Sequence, residues 1–446
     1  MTTTTTPGPI PLAPGALPLL GHLVPLLRDP WSFIDALTAC DGLVEVRVGP
    51  AKAIVVCDAE LTRRVLLNDR IFDKGGPLYA RARDALGANV ITVRHDEHRP
   101  RRHVSQPAFH RPQIEAYAKI MSEQIEIVTG KWRDGGVVNV LVDMHSIAAR
   151  VAVATMFGSA LSPAELGQIS HDFMVVAESI YKRMFMPWGL TRLPLATNRR
   201  YNRSLARLQR TVRRIIAEYR ASETDRGDLL SILLHADYNG RELTDSEVEN
   251  DVIAFFLAGV ETTSASLSWP QHLLSQHPEV EARLHAEADR VLDGRIATYD
   301  DLPKLEMTTR ILTETLRVYP PVWMSMRTTT ADSELGGRPI PAGTTVVFSP
   351  YLIHHRADTY HHPEIFAPDR WEGEAAERLR RAAFIPFAIG ARQCIGDTFA
   401  FVEGRLVLAS IASRWRLVPA MHRAVTPALG SVLHPKELRM RAIARR

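Results

Sequence analysis

Apolar positions recur every three to four residues over 113–170 and again over 201–234, a spacing that predicts helices rich in Ala, Leu, Arg and Glu. Shorter stretches carry a β signal instead. Residues 44–48 alternate Val-Glu-Val-Arg-Val, and 53–57 run apolar beyond Gly49-Pro50, which predicts a hairpin. A second β-rich stretch covers 328–348, with turns marked by Gly336-Gly337 and Pro341-Ala342-Gly343. A third pair of strands is expected around 416–419 and 438–443. No internal repeat, low-complexity block or linker breaks the pattern. The reading is mainly α with a minor β portion: one domain over 17–446 behind a flexible Pro/Thr-rich tail over 1–16.

The longest predicted helix opens at Thr244-Asp245-Ser246-Glu247, where Thr244 can cap free amides while Glu247 reaches back to it. It runs through Val252-Ile253-Ala254-Phe255-Phe256-Leu257 to about Trp269, just before Pro270. Being apolar nearly all round, it belongs in the core. Inside it, Ala258-Gly259-Val260-Glu261-Thr262-Thr263 conflicts with that placement, since Gly and Thr are poor helix formers and Glu261 is a charge in a buried element. Thr262 can bond back to the carbonyl of Ala258 and open the helix locally. A clash between local preference and global placement often marks function.

Composition narrows the class. Of 446 residues, 46% are hydrophobic and 23% charged, the balance of a globular chain rather than a disordered or polytopic one. Three cysteines, Cys40, Cys57 and Cys394, form neither a disulfide framework nor a metal knuckle, and suit a reduced, cytoplasmic setting. The net charge of +4 comes from arginines scattered along the chain, with clusters at 99–102 and 378–381. Basic and aromatic residues do not interleave, so nucleic acid is not the expected partner. The apolar run 17–27 is broken by Pro18, His22 and Pro25, short of the ~20 residues a membrane span needs, so no membrane anchor is expected. It also lacks the flanks of a signal peptide.

The most informative segment is Phe387-Ala388-Ile389-Gly390-Ala391-Arg392-Gln393-Cys394-Ile395-Gly396-Asp397. Gly390 and Gly396 allow tight turns and close approach to a flat object. Residues 397–412 then read as a helix, placing Cys394 just before a helix amino end, where dipole and amides favour the thiolate. Cys40 and Cys57 carry no such setting and read as small buried residues.

Read together, these residues resemble the cytochrome P-450 superfamily. FxxGxRxCxG looks like its haem-binding loop, with every fixed position present. Glu314-Thr315-Leu316-Arg317 resembles its ExxR pair, whose side chains share a helix face. Pro368-Asp369-Arg370-Trp371 resembles the motif whose arginine completes that ion network, and Ala258–Thr263 resembles the oxygen-activation segment. In the first half, His98-Arg99-Pro100-Arg101-Arg102 looks like the propionate-holding HxxxR segment, and Arg327 and Arg392 match further propionate positions. Ala388 departs from a common glycine, and His98 from a tryptophan carried by some members.

The resemblance implies haem b with Cys394 as axial metal ligand. Phe387, Gly396, His98, Arg102, Arg327 and Arg392 would surround the cofactor, and Glu314, Arg317 and Arg370 would form a structural ion network. Ala258, Gly259, Glu261 and Thr262 would organise protons and water for O2. The implied reaction inserts one oxygen atom into C–H or C=C. Electrons would come from NAD(P)H through a separate ferredoxin and ferredoxin reductase, received on a basic face near Arg392 and Arg378, Arg380 and Arg381. A monomer is expected.

By the same resemblance the substrate pocket draws on Leu86, Val90, Ile91, Phe173, Met184, Phe185, Met186, Phe255, Ala258, Val322, Trp323, Met324, Ser325 and Val432. The set is apolar and adaptable and fits a bulky hydrocarbon-like molecule. The lead-in Pro-rich segment, Phe72-Asp73-Lys74-Gly75-Gly76 and residues 394–400 look like bacterial soluble members that hydroxylate terpenes, with macrolactams, macrolides or fatty acids as alternatives. Readings from other classes are a haem-thiolate isomerase or dehydratase, which the acid–threonine pair argues against, and a non-catalytic haem sensor, which would need a partner domain.

Overall fold

Strands Leu43–Val48 and Ala51–Val56 pair antiparallel across Gly49-Pro50, with Leu43 opposite Val56, as the alternation predicts. The structure, a computed structural model, describes residues 8–158, 161–184, 188–222, 227–238, 240–420 and 423–445. Helix makes up 59% of it and strand 13%, so the expected class is right. The described residues fall into two compact units. The first gathers the chain up to Ala80 with Val322–Phe366 and Trp371–Cys394; the second takes Arg81–Pro321, Ala367–Arg370 and the chain from Ile395 on.

In the first unit the hairpin grows into a five-stranded sheet. Ala51–Val56 pairs parallel with Thr345–Phe348, which pairs antiparallel with Ser325–Thr329, which in turn pairs antiparallel with Phe72–Asp73. Leu43, Ile54, Val56, Val346 and Phe348 close an apolar core with Val65, Leu66, Trp371 and Ile385. A separate hairpin, Ser333–Leu335 with Arg338–Ile340, turns at Gly336 and Gly337, both at positive φ (59° and 73°). The lead-in is tied to the sheet earlier than expected: Ala13 N donates to Glu45 O (2.9 Å) and Glu45 N to Pro11 O (2.7 Å).

The second unit is helical. The stretch expected as helix over 113–170 divides into Arg111–Thr129, Val140–Phe157 and a helix from Pro163 to Met184. Between the first two, Gly135 takes φ 72° and Val137–Asn139 leaves as a strand. That strand adds a third member to the expected pair Trp415–Pro419 and Arg439–Ala444, by pairing with the latter. Three residues are too few for periodicity to reveal. The stretch 201–234 likewise separates into Ala196–Ser222 and Leu229–Leu234, the latter capped by Asp228 on the Ser231 amide.

The central helix, Asp245–Gln276, has the expected capping box, but Pro270 does not end it. Trp269 is fully buried, stacks on Tyr319 (3.8 Å between centroids) and donates Nε1 to Leu433 O at 3.0 Å. That packing outweighs the ~3 kcal/mol a proline costs inside a helix. This helix and Val140–Phe157 are long and apolar enough to cross a membrane, yet most of each is buried inside the protein, where they serve as core helices.

Candidate active site

The Cys394 loop is shaped by its backbone. Cys394 N donates to Phe387 O at 2.8 Å, closing the loop around the single turn Gly390–Arg392. Gly390 sits at φ 76°, and a Cβ there would lie 3.1 Å from Leu66 O and 3.2 Å from Leu67 Cδ2, so the position needs glycine. Ala388 is at φ 55°, left-handed backbone that strains any Cβ and would suit glycine better. Gly396 differs from expectation. Its φ is −96°, and an added Cβ would make only an ordinary 3.8 Å contact with Phe109, so the backbone does not demand glycine there. Cys394 is exposed and lies three residues before the helix Asp397–Arg414. Cys57 is buried, and burial pushes its thiol up to about 12; burial also raises Cys40. Those two thiols stay protonated, as structural cysteines should.

The first unit also gathers three cations, Arg392, Arg327 and Lys74. Arg392 pairs with Asp73 (Nη2 to Oδ1, 3.1 Å) and Asp69 (Nε to Oδ2, 3.4 Å). Arg327 is buried and donates to Met326 O at 2.9 Å and the Tyr79 hydroxyl at 3.5 Å; it has no carboxylate partner among the described residues. Lys74 Nζ donates to Tyr79 Oη at 2.8 Å, and Tyr79 Oη also bonds Ser325 Oγ at 3.0 Å. Burial, and then Arg327, lowers the Lys74 ammonium. Burial opposes ionisation of Tyr79, but Lys74 and Arg327 together outweigh it and lower the phenol. A buried arginine and a half-buried lysine, without carboxylate partners among the described residues, suit a ligand that brings its own carboxylates, as haem propionates would. Sequence reasoning named Arg327 and Arg392 and missed Lys74 and Tyr79, although Lys74 lies in the Phe72–Gly76 segment it had singled out.

In the second unit, Thr262 Oγ1 donates to Ala258 O at 2.6 Å, as expected, but the helix stays continuous from 245 to 276. The hydroxyl shares the carbonyl without breaking the ladder, and Ser266 and Ser268 bond back to Thr262 O and Ser264 O in the same way. A Cβ at Gly259 would meet no atom within 4 Å, and Ala258 is exposed, so this face of a core helix is open. Glu261 is only half-buried by accessibility, yet protein atoms surround its carboxyl closely enough that burial pushes it up to about 7, Ser431 opposing and Glu178 adding to the shift. Ser431 Oγ donates to Glu261 Oε2 at 2.8 Å. Nothing in the sequence pointed to Ser431.

His98 is buried and Arg102 half-buried on the helix His95–Ser105 of this unit. Their neighbour Arg101, not singled out from sequence, is buried against Asp251 (Nε to Oδ2, 2.8 Å). Asp251 also accepts from Val90 N at 2.9 Å, and Arg101 from its other end donates to Ala88 O at 3.2 Å. One fully buried aspartate thus fixes the 87–92 loop onto the central helix. Leu86, Val90, Ile91, Phe173 and Phe255 come together in one apolar cluster, with Phe109 and Ile395 packed against it. Phe173 stacks on Phe256 (3.8 Å) and so belongs to the packed core. Val432 is buried in the second unit, while Trp323 and Ser325 are buried, Met324 half-buried and Val322 exposed in the first. Phe185 and Met186 lie outside the described residues, as does the side chain of Met184.

The ion network forms as expected. Arg317 meets Glu314 at two points, and Glu314 Oε1 also accepts from Ala367 N (3.0 Å) and Arg370 Nε (3.4 Å). It ties the 367–370 segment to the helix Glu306–Val318.

The sequence pattern of the family described as Cytochrome P450 matches residues 11–441. Cyclooctat-9-en-7-ol 5-monooxygenase of Streptomyces melanosporofaciens is 45% identical over 410 residues, covering 91% of this chain and 89% of its own. Pentalenene oxygenase of Streptomyces avermitilis is 42% identical over 97% of both chains. Among solved structures, the haem domain of cytochrome P450DA superposes with a TM-score of 0.87 at 26% identity, covering 98% of this chain and 97% of that one. The motif order, the turn ahead of Cys394 and these matches agree: the chain belongs to the cytochrome P450 family and is a haem b monooxygenase.

Proposed function

We propose that this enzyme oxygenates a terpene, by hydroxylation or epoxidation. The observation that carries the substrate class is the 40–45% identity to three relatives named for pentalenene, cyclooctat-9-en-7-ol and cyclooctatin. The apolar cluster around Val90 and Phe255 suits such a molecule, offering shape and no charged partner. Family membership requires redox partners and O2; we infer a ferredoxin with its reductase, docking on the basic residues Arg378, Arg380 and Arg381, and a cytoplasmic setting. The match across residues 11–441 supports reading the chain as one catalytic domain.

Bound through a thiolate, haem supplies the oxygen-activating chemistry, because thiolate donation favours O–O cleavage. In this reading Cys394 would hold haem through its thiolate, Lys74, Arg327 and Arg392 would meet haem carboxylates from the first unit, and His98 and Arg102 would do so from the second. Thr262 keeps its hydroxyl on the Ala258 carbonyl, ready to orient water, and Glu261, with a carboxyl that titrates near neutrality, picks up and releases protons. The 87–92 loop, fixed by Asp251, presents Val90 and Ile91 to the substrate and excludes water. A spectral binding titration against a panel of cyclic terpenes, macrolactams and fatty acids tests the substrate class. Terpenes should give the strongest shift to the high-spin form; a response to macrolactams or fatty acids alone would overturn it.

A further inference from the structure

Glu261 is a carboxyl inside a core helix, and a carboxyl that repeatedly delivers protons must be resupplied. Among the described residues its carboxyl accepts from Ser431, on the turn between the strands Pro427–Leu429 and Leu433–Pro435. That turn is held firmly: Leu433 N donates to Pro321 O at 2.9 Å, Leu433 O accepts from Trp269 Nε1 at 3.0 Å, and Val432 is buried beside Ser431. Ser431 itself is exposed, whereas Glu261 is not.

We propose that Ser431 is the solvent-side positioning residue for Glu261, holding Oε2 in place and passing protons from water to it. This rests on the proton-carrying role proposed for Glu261. The partner is chemically apt. A hydroxyl can donate to a carboxylate and accept from a carboxylic acid, so the contact survives titration, which a lysine or arginine partner would not allow. In the transfer, Ser431 Oγ–H gives its proton to Oε2 as Oγ takes one from a hydronium. One O–H bond breaks and another forms at the serine, and hydronium plus carboxylate become water plus carboxylic acid. Among the described residues the charged group whose field reaches Glu261 is Glu178, on the helix that begins at Pro163; it is paired with Lys182 at 2.6 Å and disfavours the ionised form. Ser431 pulls the other way.

The test is an infrared pH titration of the haem-loaded enzyme, with the Glu261→Gln spectrum subtracted to isolate the carboxyl band. Ser431→Ala removes a donor to the ionised form, so the midpoint should rise by about half a pH unit or more, roughly a threefold change in the ionisation constant, and Ser431→Thr should restore it. The solvent deuterium isotope effect on NADPH oxidation, driven by a ferredoxin pair, should also grow in Ser431→Ala and return in Ser431→Thr. An unmoved midpoint overturns the contact. A moved midpoint with an unchanged isotope effect overturns proton entry. If Glu261→Gln itself leaves product per NADPH unchanged with pentalenene as probe, the reading of Glu261 fails, and the infrared result still decides the contact.

Discussion

Glu314 and Arg317, three residues apart on one helix, meet at two points, Nε to Oε2 at 3.0 Å and Nη2 to Oε1 at 2.8 Å, with both side chains wholly shut off from solvent. Removing Glu314 takes the carboxylate from Arg317 and Arg370 together. Glu314→Ala should therefore lose ~3–5 kcal/mol of stability and most of its haem. Denaturant unfolding and haem-to-protein ratio check this, and a variant that keeps full haem at parent stability would show the pair to be dispensable.

The left-handed backbone at Ala388 makes an opposite prediction. Ala388→Gly should relieve strain of ~1 kcal/mol, less the extra chain entropy of glycine, and raise the melting temperature slightly. Gly390→Ala should lower it, because its Cβ would press on the Leu66 carbonyl. Thermal melts of the haem-loaded variants decide both signs.

For the axial ligand, the reduced carbon monoxide complex should show the red-shifted Soret band of a thiolate. Cys394→Ala should lose it, while Cys40→Ala and Cys57→Ala should keep it. A histidine-type spectrum in the parent would refute the assignment.

Arg327, buried without a carboxylate partner among the described residues, should matter to haem retention more than to folding. Arg327→Gln should speed haem transfer to apomyoglobin about tenfold, the equivalent of one charge-assisted hydrogen bond of roughly 1.5 kcal/mol. Lys74→Met should act in the same direction. Unchanged transfer rates in both would sever the cluster from the propionates.

Thr262→Ala should bind haem and substrate nearly as the parent does, since among the described residues its hydroxyl bonds within its own helix, to Ala258 O. It should still consume NADPH but divert much of it to hydrogen peroxide. Product formed per NADPH is the quantity to measure, and an unchanged ratio would leave Thr262 as an ordinary helix residue.

Much of this protein is set by short-range rules that operate on neighbours in the chain. The capping box at Thr244 and Glu247, the Gly336-Gly337 turn, the alternation of 43–56 and the i, i+3 pair Glu314–Arg317 all form as the sequence dictates, because each needs only a few adjacent residues to satisfy it. The turn at Gly390–Arg392 ahead of Cys394 is legible for the same reason. Contacts between residues distant in sequence, apart from those the motif resemblance or the β pattern implied, were not legible in the chain alone. Pro270 stays inside its helix because Trp269 finds Tyr319 and Leu433; Val137–Asn139 becomes a strand because Arg439–Ala444 offers it an edge. Lys74 finds Tyr79 nearby in sequence, but the cluster they join depends on Ser325 and Arg327, some 250 residues on, and Ser431 reaches Glu261 across 170. Such contacts exchange chain entropy for burial and pairing that only the assembled core provides, so the tertiary structure decided which of these sequence-distant groups would meet.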